Sequence, residues 1–319
     1  MLRRPVCVST HSAHISLLLV LVCAVPAWAG PATAPVKAPE SVVAIGDVHN
    51  DFDDFVAILQ HTGLVDKQNH WAGGKTTFVQ VGDLLDRGPK PREVLNLMMS
   101  LEKEAAQAGG RVVSLLGNHE MMNIMGDLRY VTPMNYGSFA GANSEQRQKA
   151  AYEEYVKWRG SHASLLAELP QPMELTEAEW VARHPAGFVE QREALGPKGE
   201  YGQWLRGHAA VAEIEGIIFL HGGIHPDVAK MNLDAINNRI HDEIKEFDDL
   251  KQYLQNEKLI LPFFNLQEIN NVLQAEVVAE LKSRVSGNEE RKAKIQEFLK
   301  HVDWLSVRVD GPLWFRGYD

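Results

Sequence analysis

At 319 residues and a formal charge of −10, the chain is long enough for one large domain or two ordinary ones, and it has no broad basic face for nucleic acid. Apolar residues make up 45% and charged residues 23%, as in a globular protein with a sizeable core.

The chain begins with a basic start, Arg3 and Arg4, followed by the apolar run ISLLLVLVCAV. The run is too short to span a bilayer comfortably. Ala27, Trp28, Ala29 and Gly30 then put small residues where a signal peptidase cuts. Residues 1–29 are therefore expected to be a secretory signal cleaved after Ala29, with the mature protein exported, periplasmic in a diderm host, and free of the membrane. Both cysteines, Cys7 and Cys23, leave with the signal, so any metal must be held by His, Asp, Glu or Asn. Loss of Arg3 and Arg4, with no acidic residue, takes the charge from −10 to −12. An anionic substrate must then be attracted locally, by metal ions and a few arginines.

Residues 30–40, GPATAPVKAPE, read as a linker. SVVAIGDVH is an apolar, β-branched run, and FDDFVAILQHTGL has helical spacing. TTFVQVGDLLD is strand-like, PREVLNLMMSLEKEAAQAG is an amphipathic helix with a Gly stop, and RVVSLLGNHE is a third strand. This alternation predicts parallel βαβ units in an α/β fold, with ligands outside the carboxyl ends of the strands. Residues 145–205 read as a mostly helical cap. GIIFLHGGI, residues 216–224, is expected to be a fourth strand of the same design, ending in His221, and residues 227–302 to be helical with a break at Pro262.

Four strand ends carry polar groups: Asp47 with His49, Asp83, Asn118 with His119, and His221. Gly46, Gly82 and Gly117 precede three of them, and glycine there is expected to let the backbone turn sharply. Asp47 and Asp83 are 36 residues apart, and Asp83 and Asn118 are 35, about one βαβ repeat each, which predicts neighbouring strands. A single Asp or His at such a place is ordinarily a turn or packing residue; the repetition is what points to ligation. Oxygen and imidazole donors without thiolate suit Mn, Fe or Zn.

The blocks GDVHN, GDLLDRG, GNHE and HGG resemble the signature blocks of the calcineurin-like metallophosphoesterases, in their phosphoprotein phosphatase branch. DFVAILQHTGLVD and PLWFRGY are most similar to the bacterial Shewanella-like protein phosphatases. The resemblance runs from about residue 41 to the end. It implies a metallophosphoesterase-type β-sandwich flanked by helices, with helical insertions, and two divalent ions. Asp47 and His49 would hold one ion, Asp83 would bridge, and Asn118 and His221 would hold the other. A metal-bound hydroxide would attack phosphorus. His119 would be the general acid, Asp86 its partner, and Arg87, Arg316 and Asn118 the contacts to phosphate oxygens. Glu120 would support the loop, and His225 would stand near the mouth.

The substrate implied is a phosphorylated protein or a small phosphoester. A nucleotide or dinucleoside polyphosphate, or a non-catalytic metal- or phosphate-binding module, are the alternatives. Two departures stand out. Asn50 replaces the usual Gly, and Asn tolerates a left-handed backbone. No late Gly-His block follows PLWFRGYD, and Gly207-His208 comes too early, so the C-terminal strands are expected to be missing from this chain.

Overall fold

The computed structural model describes residues 41–169, 174–282 and 289–317. The expected signal and linker, and the last two residues of PLWFRGYD, lie outside the described residues.

Strands β1 (Val42–Ile45), β2 (Thr77–Gln80) and β3 (Arg111–Ser114) form a parallel sheet in the order β1-β2-β3. The crossovers are α1 (Phe52–His61) and α2 (Pro91–Ala108). The Asp51 side chain caps α1 by accepting from Asp54 N. Pro91 opens α2, where its missing N–H costs nothing, and Gly109 closes it at φ 79°. The apolar stripes of both helices, including Phe55, Leu59, Val94, Met98 and Leu101, close over Phe78 on one face of the sheet. Each such side chain contributes about 1.5–3 kcal/mol by leaving water. The α/β expectation holds.

The other face meets a hairpin, β4 (Val211–Ile214) and β5 (Ile217–Leu220), through Val79, Leu115 and Ile214. This corrects the expectation for GIIFLHGGI. The strand exists, but it pairs antiparallel with β4 rather than extending the parallel design. Only Glu215 (φ 51°) and Gly216 (φ 78°) join the two strands. Two residues with positive φ make a tight hairpin turn, whereas a parallel crossover needs a dozen or more. A parallel bridge from Leu115 to Ala209 ties the hairpin to the end of β3.

Among the described residues of 144–206 lie the helices Ser144–Ser161, Ala163–Leu166, Glu177–Arg183, Phe188–Ala194 and Glu200–Arg206. Further on lie the helices Leu233–Asn256, Leu266–Lys282 and Glu289–Leu299. Lys258, at φ 58°, ends the first of these three, and Pro262 stands in the break before the next. These helices share one aromatic core, with Trp180 against Tyr152 and Tyr155, and Phe247 against Phe298. Among the described residues no helix is long and apolar enough to cross a membrane.

Candidate metal centre

The loop after β1 lies on the loop after β2. Val48 N and His49 N both donate to Asp83 O at 2.9 Å, and Asn50 N donates to Leu84 O at 2.8 Å. His49, Asn50, Asp83, Asp86 and Arg87 all adopt left-handed φ, between 49° and 71°. Non-glycine residues persist in that region only where surrounding contacts hold them. Asn50 accepts the conformation at φ 62°, as its side chain allows.

The loop after β3 joins through glycine. A Cβ on Gly82 would stand 2.5 Å from Gly117 Cα, and one on Gly117 would stand 2.3 Å from Asp83 Oδ1. Bare backbone is required for these two strand ends to touch. Gly46 is different: a Cβ there meets nothing within 4 Å, so the turn after β1 does not need glycine for space.

Helix α3 (Asn118–Met125) starts at this junction, with Gly117 as its N-cap. Glu120, fully buried, fastens it. Its Oε2 accepts from Asp83 N (2.7 Å) and Gly117 N (2.8 Å), and its Oε1 accepts from Leu84 N (2.9 Å) and Leu85 N (3.2 Å). Burial, and then the charge of Asp83, raise its pKa against these donors. Asp83 Oδ1 accepts from His119 N at 3.0 Å, a carboxylate at a helix N-terminus.

The strand-end groups converge on Asp83. Asp47, Asp83 and His221 form one group of candidate ligands, and His49, Asp83 and His119 another, so Asp83 belongs to both. His49 Nε2 lies 3.7 Å from Asp47 Oδ2 and 3.7 Å from Asp83 Oδ2. His221 Nε2 lies 3.3 Å from Asp83 Oδ2 and 2.9 Å from Asn118 Oδ1.

The donor set suits divalent ions. His49 Nδ1 lies 2.9 Å from Leu85 O, and His221 Nδ1 lies 3.1 Å from Val81 O. A carbonyl only accepts, so each Nδ1 carries the proton and each Nε2 presents a lone pair to the acidic cluster. His49 Nε2 is buried with no hydrogen-bond partner, which a cation would satisfy. Burial raises the Asp83 carboxyl above the usual range and Asp47 adds to it, while the His119 amide and the rings of His119 and His49 oppose it. Burial also lowers the His221 imidazole, keeping it a neutral donor. Asp47 is the solvent-facing member, with its side chain 56% exposed against 4% for Asp83.

His119 and Asp86 form a buried dyad, Nδ1 donating to Oδ2 at 2.7 Å. Burial favours the neutral ring, but the bond to Asp86 and the charges of Asp83, Asp86 and Glu120 outweigh it and raise the His119 pKa. Arg87, exposed, directs Nη2 toward His119 Nε2 at 3.4 Å. Arg316 directs Nη2 to His221 Nε2 at 3.0 Å. The structure thus brings Asp47, His49, Asp83, Asp86, Arg87, Asn118, His119, His221 and Arg316 to one place. His225 pairs with Asp227 at 3.7 Å and packs edge-on against Phe315, the neighbour of Arg316, and His208 packs on Trp204 beside Glu102.

Two participants escaped the sequence reading. Asn123 Nδ2 donates to Asp86 Oδ1 (2.8 Å) and to His119 O (3.0 Å), locking the dyad. Its signal was position, one helical turn after His119. Tyr130 lays its ring 5.0 Å from His119 and 5.8 Å from the Arg87 guanidinium carbon; nothing in its sequence surroundings marks it.

The sequence profile of the calcineurin-like phosphoesterases matches residues 41–286, most of the chain. The chain belongs to the calcineurin-like phosphoesterase family. It is 32% identical over 229 residues to Shewanella-like protein phosphatase 2 of Arabidopsis thaliana, covering 66% of this chain and 53% of that one. It is 24% identical over 253 residues to Shewanella-like protein phosphatase 1 of Plasmodium berghei, covering 75% and 58%. A solved cold-active protein tyrosine phosphatase aligns at 23% identity with a TM-score of 0.49, over 88% of this chain and 56% of that one. This calcineurin-like phosphoesterase thus spans little more than half the length of these relatives.

Proposed function

We propose that the chain is a metal-dependent phosphomonoester hydrolase acting on phosphorylated proteins, with two divalent ions in the strand-end cluster. The observation that carries this reading is the pair of imidazoles, His49 and His221, each with Nδ1 tied to a backbone carbonyl and Nε2 turned toward Asp83. Asp47 and His49 would hold one ion, Asn118 and His221 the other, and Asp83 both. Ions bound there supply Lewis-acid polarisation of the phosphoryl oxygens and lower the pKa of water.

The chain's own residues divide the remaining work. Arg87 and Arg316 flank the cluster, Arg87 beside His119 and Arg316 beside His221, and their guanidinium forks suit phosphate oxygens. Asp86 holds His119 Nδ1, so the proton available for transfer is the one on Nε2, the atom facing Arg87 and Asp83. From there His119 protonates the departing alkoxide or phenoxide. Asn123 keeps Asp86 and the His119 backbone in register during that transfer.

The names of the Arabidopsis and Plasmodium relatives support a phosphoprotein substrate. The test is metal content and turnover of purified residues 30–319 against p-nitrophenyl phosphate, phosphoserine, phosphothreonine and phosphotyrosine peptides, and nucleotides. EDTA should stop turnover and Mn²⁺ restore it. Activity that survives full metal removal would overturn the metal mechanism. Preference for nucleotides would replace the phosphoprotein reading. Metal binding without hydrolysis of any ester would leave a binding module.

A further inference from the structure

A cavity of about 860 Å³ opens among the helices Ser144–Ser161, Phe188–Ala194 and Leu233–Asn256, sharing no lining residue with the metal centre. Two cations that line it form no ion pair among the described residues. Arg192 is 7% exposed, and its Nη1 donates to Asn123 O at 3.0 Å. Its Nε is buried with no partner, and the side chain forms no ion pair among the described residues. Lys251 lines the same cavity and makes no hydrogen bond or ion pair among the described residues. Burial pushes the Arg192 guanidinium down to about 10. Burial, then the charge of Arg192, pushes the Lys251 ammonium down to about 7.

The carboxylates relieve this only in part: Asp248 and Glu268 draw the Lys251 ammonium upward and Glu268 the Arg192 guanidinium, but burial outweighs them. Asp248 is engaged by Arg206 through two bonds of 2.7 and 2.9 Å. Glu193 pairs with Arg147, and Glu190 accepts from Ser144 Oγ at 2.7 Å and lies 3.8 Å from Arg147. Glu154 is exposed. A buried cation without a partner is costly, as at Arg192, and the half-buried Lys251 in the same cavity adds to the unbalanced charge. The lining also has an apolar part, with Ile124, Val189, Pro262 and Phe263. The volume falls within the range of small-molecule sites, about 300–1,000 Å³.

We propose that this cavity binds an amphipathic organic anion, with a phosphate or carboxylate group on Arg192 and Lys251 and an apolar body against Val189 and Phe263. Arg192 also holds Asn123, whose side chain holds Asp86 and the His119 carbonyl, so an occupant bears on the residues beside the metal centre.

The experiment reads the cavity directly. The full chain with its metal is acetylated briefly at neutral pH with acetic anhydride, and the labelling rate of each lysine is followed by peptide mass spectrometry. Lys251 should label fast for a half-buried amine. Two probes, phenylphosphonate and benzoate, are added at matched ionic strength. With a Kd of about 1 mM, about 10 mM of either anion slows Lys251 labelling roughly tenfold. Lys67 and Lys245 should label at unchanged rates. Protection by phenylphosphonate alone assigns a phosphate-type ligand, and protection by benzoate assigns a carboxylate.

Protection should persist in Asp83→Asn, which separates it from anion binding at the metal centre, and should vanish in Arg192→Met. Lys251 labelling indifferent to both anions overturns the proposal without any variant. So does protection that disappears in Asp83→Asn.

Discussion

Glu120→Gln is the sharpest test of how the centre is assembled. The carboxylate accepts from four backbone N–H groups, two on each oxygen, and those amides belong to both the loop after β2 and the start of α3. An amide side chain keeps the shape but replaces one acceptor oxygen with NH₂. Whichever way it sits, two buried N–H groups lose their acceptor and face a donor. A hydrogen bond to a charged group is worth about 1.5–3 kcal/mol, so two of them amount to about 3–6 kcal/mol. Removing a buried charge returns part of its desolvation cost, so the expected loss sits at the lower end, about 3 kcal/mol. Urea denaturation of both proteins in EDTA, followed by tryptophan fluorescence, measures the difference without metal linkage. A change below about 1 kcal/mol would refute the claim that Glu120 ties α3 to the loop of Asp83.

His119→Asn should leave metal content near normal and lower kcat by about 10²–10⁴ for an alkyl phosphate, and much less for p-nitrophenyl phosphate, whose leaving group needs no proton; equal losses would remove the acid role. Asp83→Asn should cut metal content at both sites and abolish turnover, and full occupancy by metal analysis would count against a shared ligand. Burial favours the protonated carboxyl of Glu102, but donors from His208, Trp204 and Ser114 outweigh it and hold its pKa below the usual range. Its stabilising contribution is therefore present above pH ~4.3, the unfolded value, and is lost as pH falls through the folded value; Glu102→Gln should flatten that acid limb in thermal melts. With a cleaved signal, amino-terminal sequencing of the protein made in its own host should begin at Gly30; a start at Met1 would refute the cleavage.

The strand-end residues were readable because the pattern was local and repeated: an apolar run, a glycine, then a donor, at spacings of one βαβ unit. The dyad partner Asp86 was readable from its block. Asn123 was not read, because a spacing of four from His119 does not reveal its bond to the distant Asp86, and Tyr130 was not, because its contacts with His119 and Arg87 follow no short spacing. The hairpin was misread because HGG looked like the other strand ends, while the turn residues Glu215 and Gly216, which decide the pairing, carried the contrary signal. Gly46 drew attention as part of the repeat, yet only Gly82 and Gly117 are forced by contact.

By itself the sequence determined which polar side chains end the strands, and the alternation that stacks β1, β2 and β3 in parallel, since apolar periodicity and glycine placement act over a few residues. Tertiary structure alone decided which nitrogen each histidine offers, because Leu85 O and Val81 O come from other strand-end segments. It also decided which amides Glu120 would tie together, and that Arg192 and Lys251 would share one cavity. Proton placement and charge pairing depend on neighbours that are distant in the chain, and only folding brings those neighbours within reach.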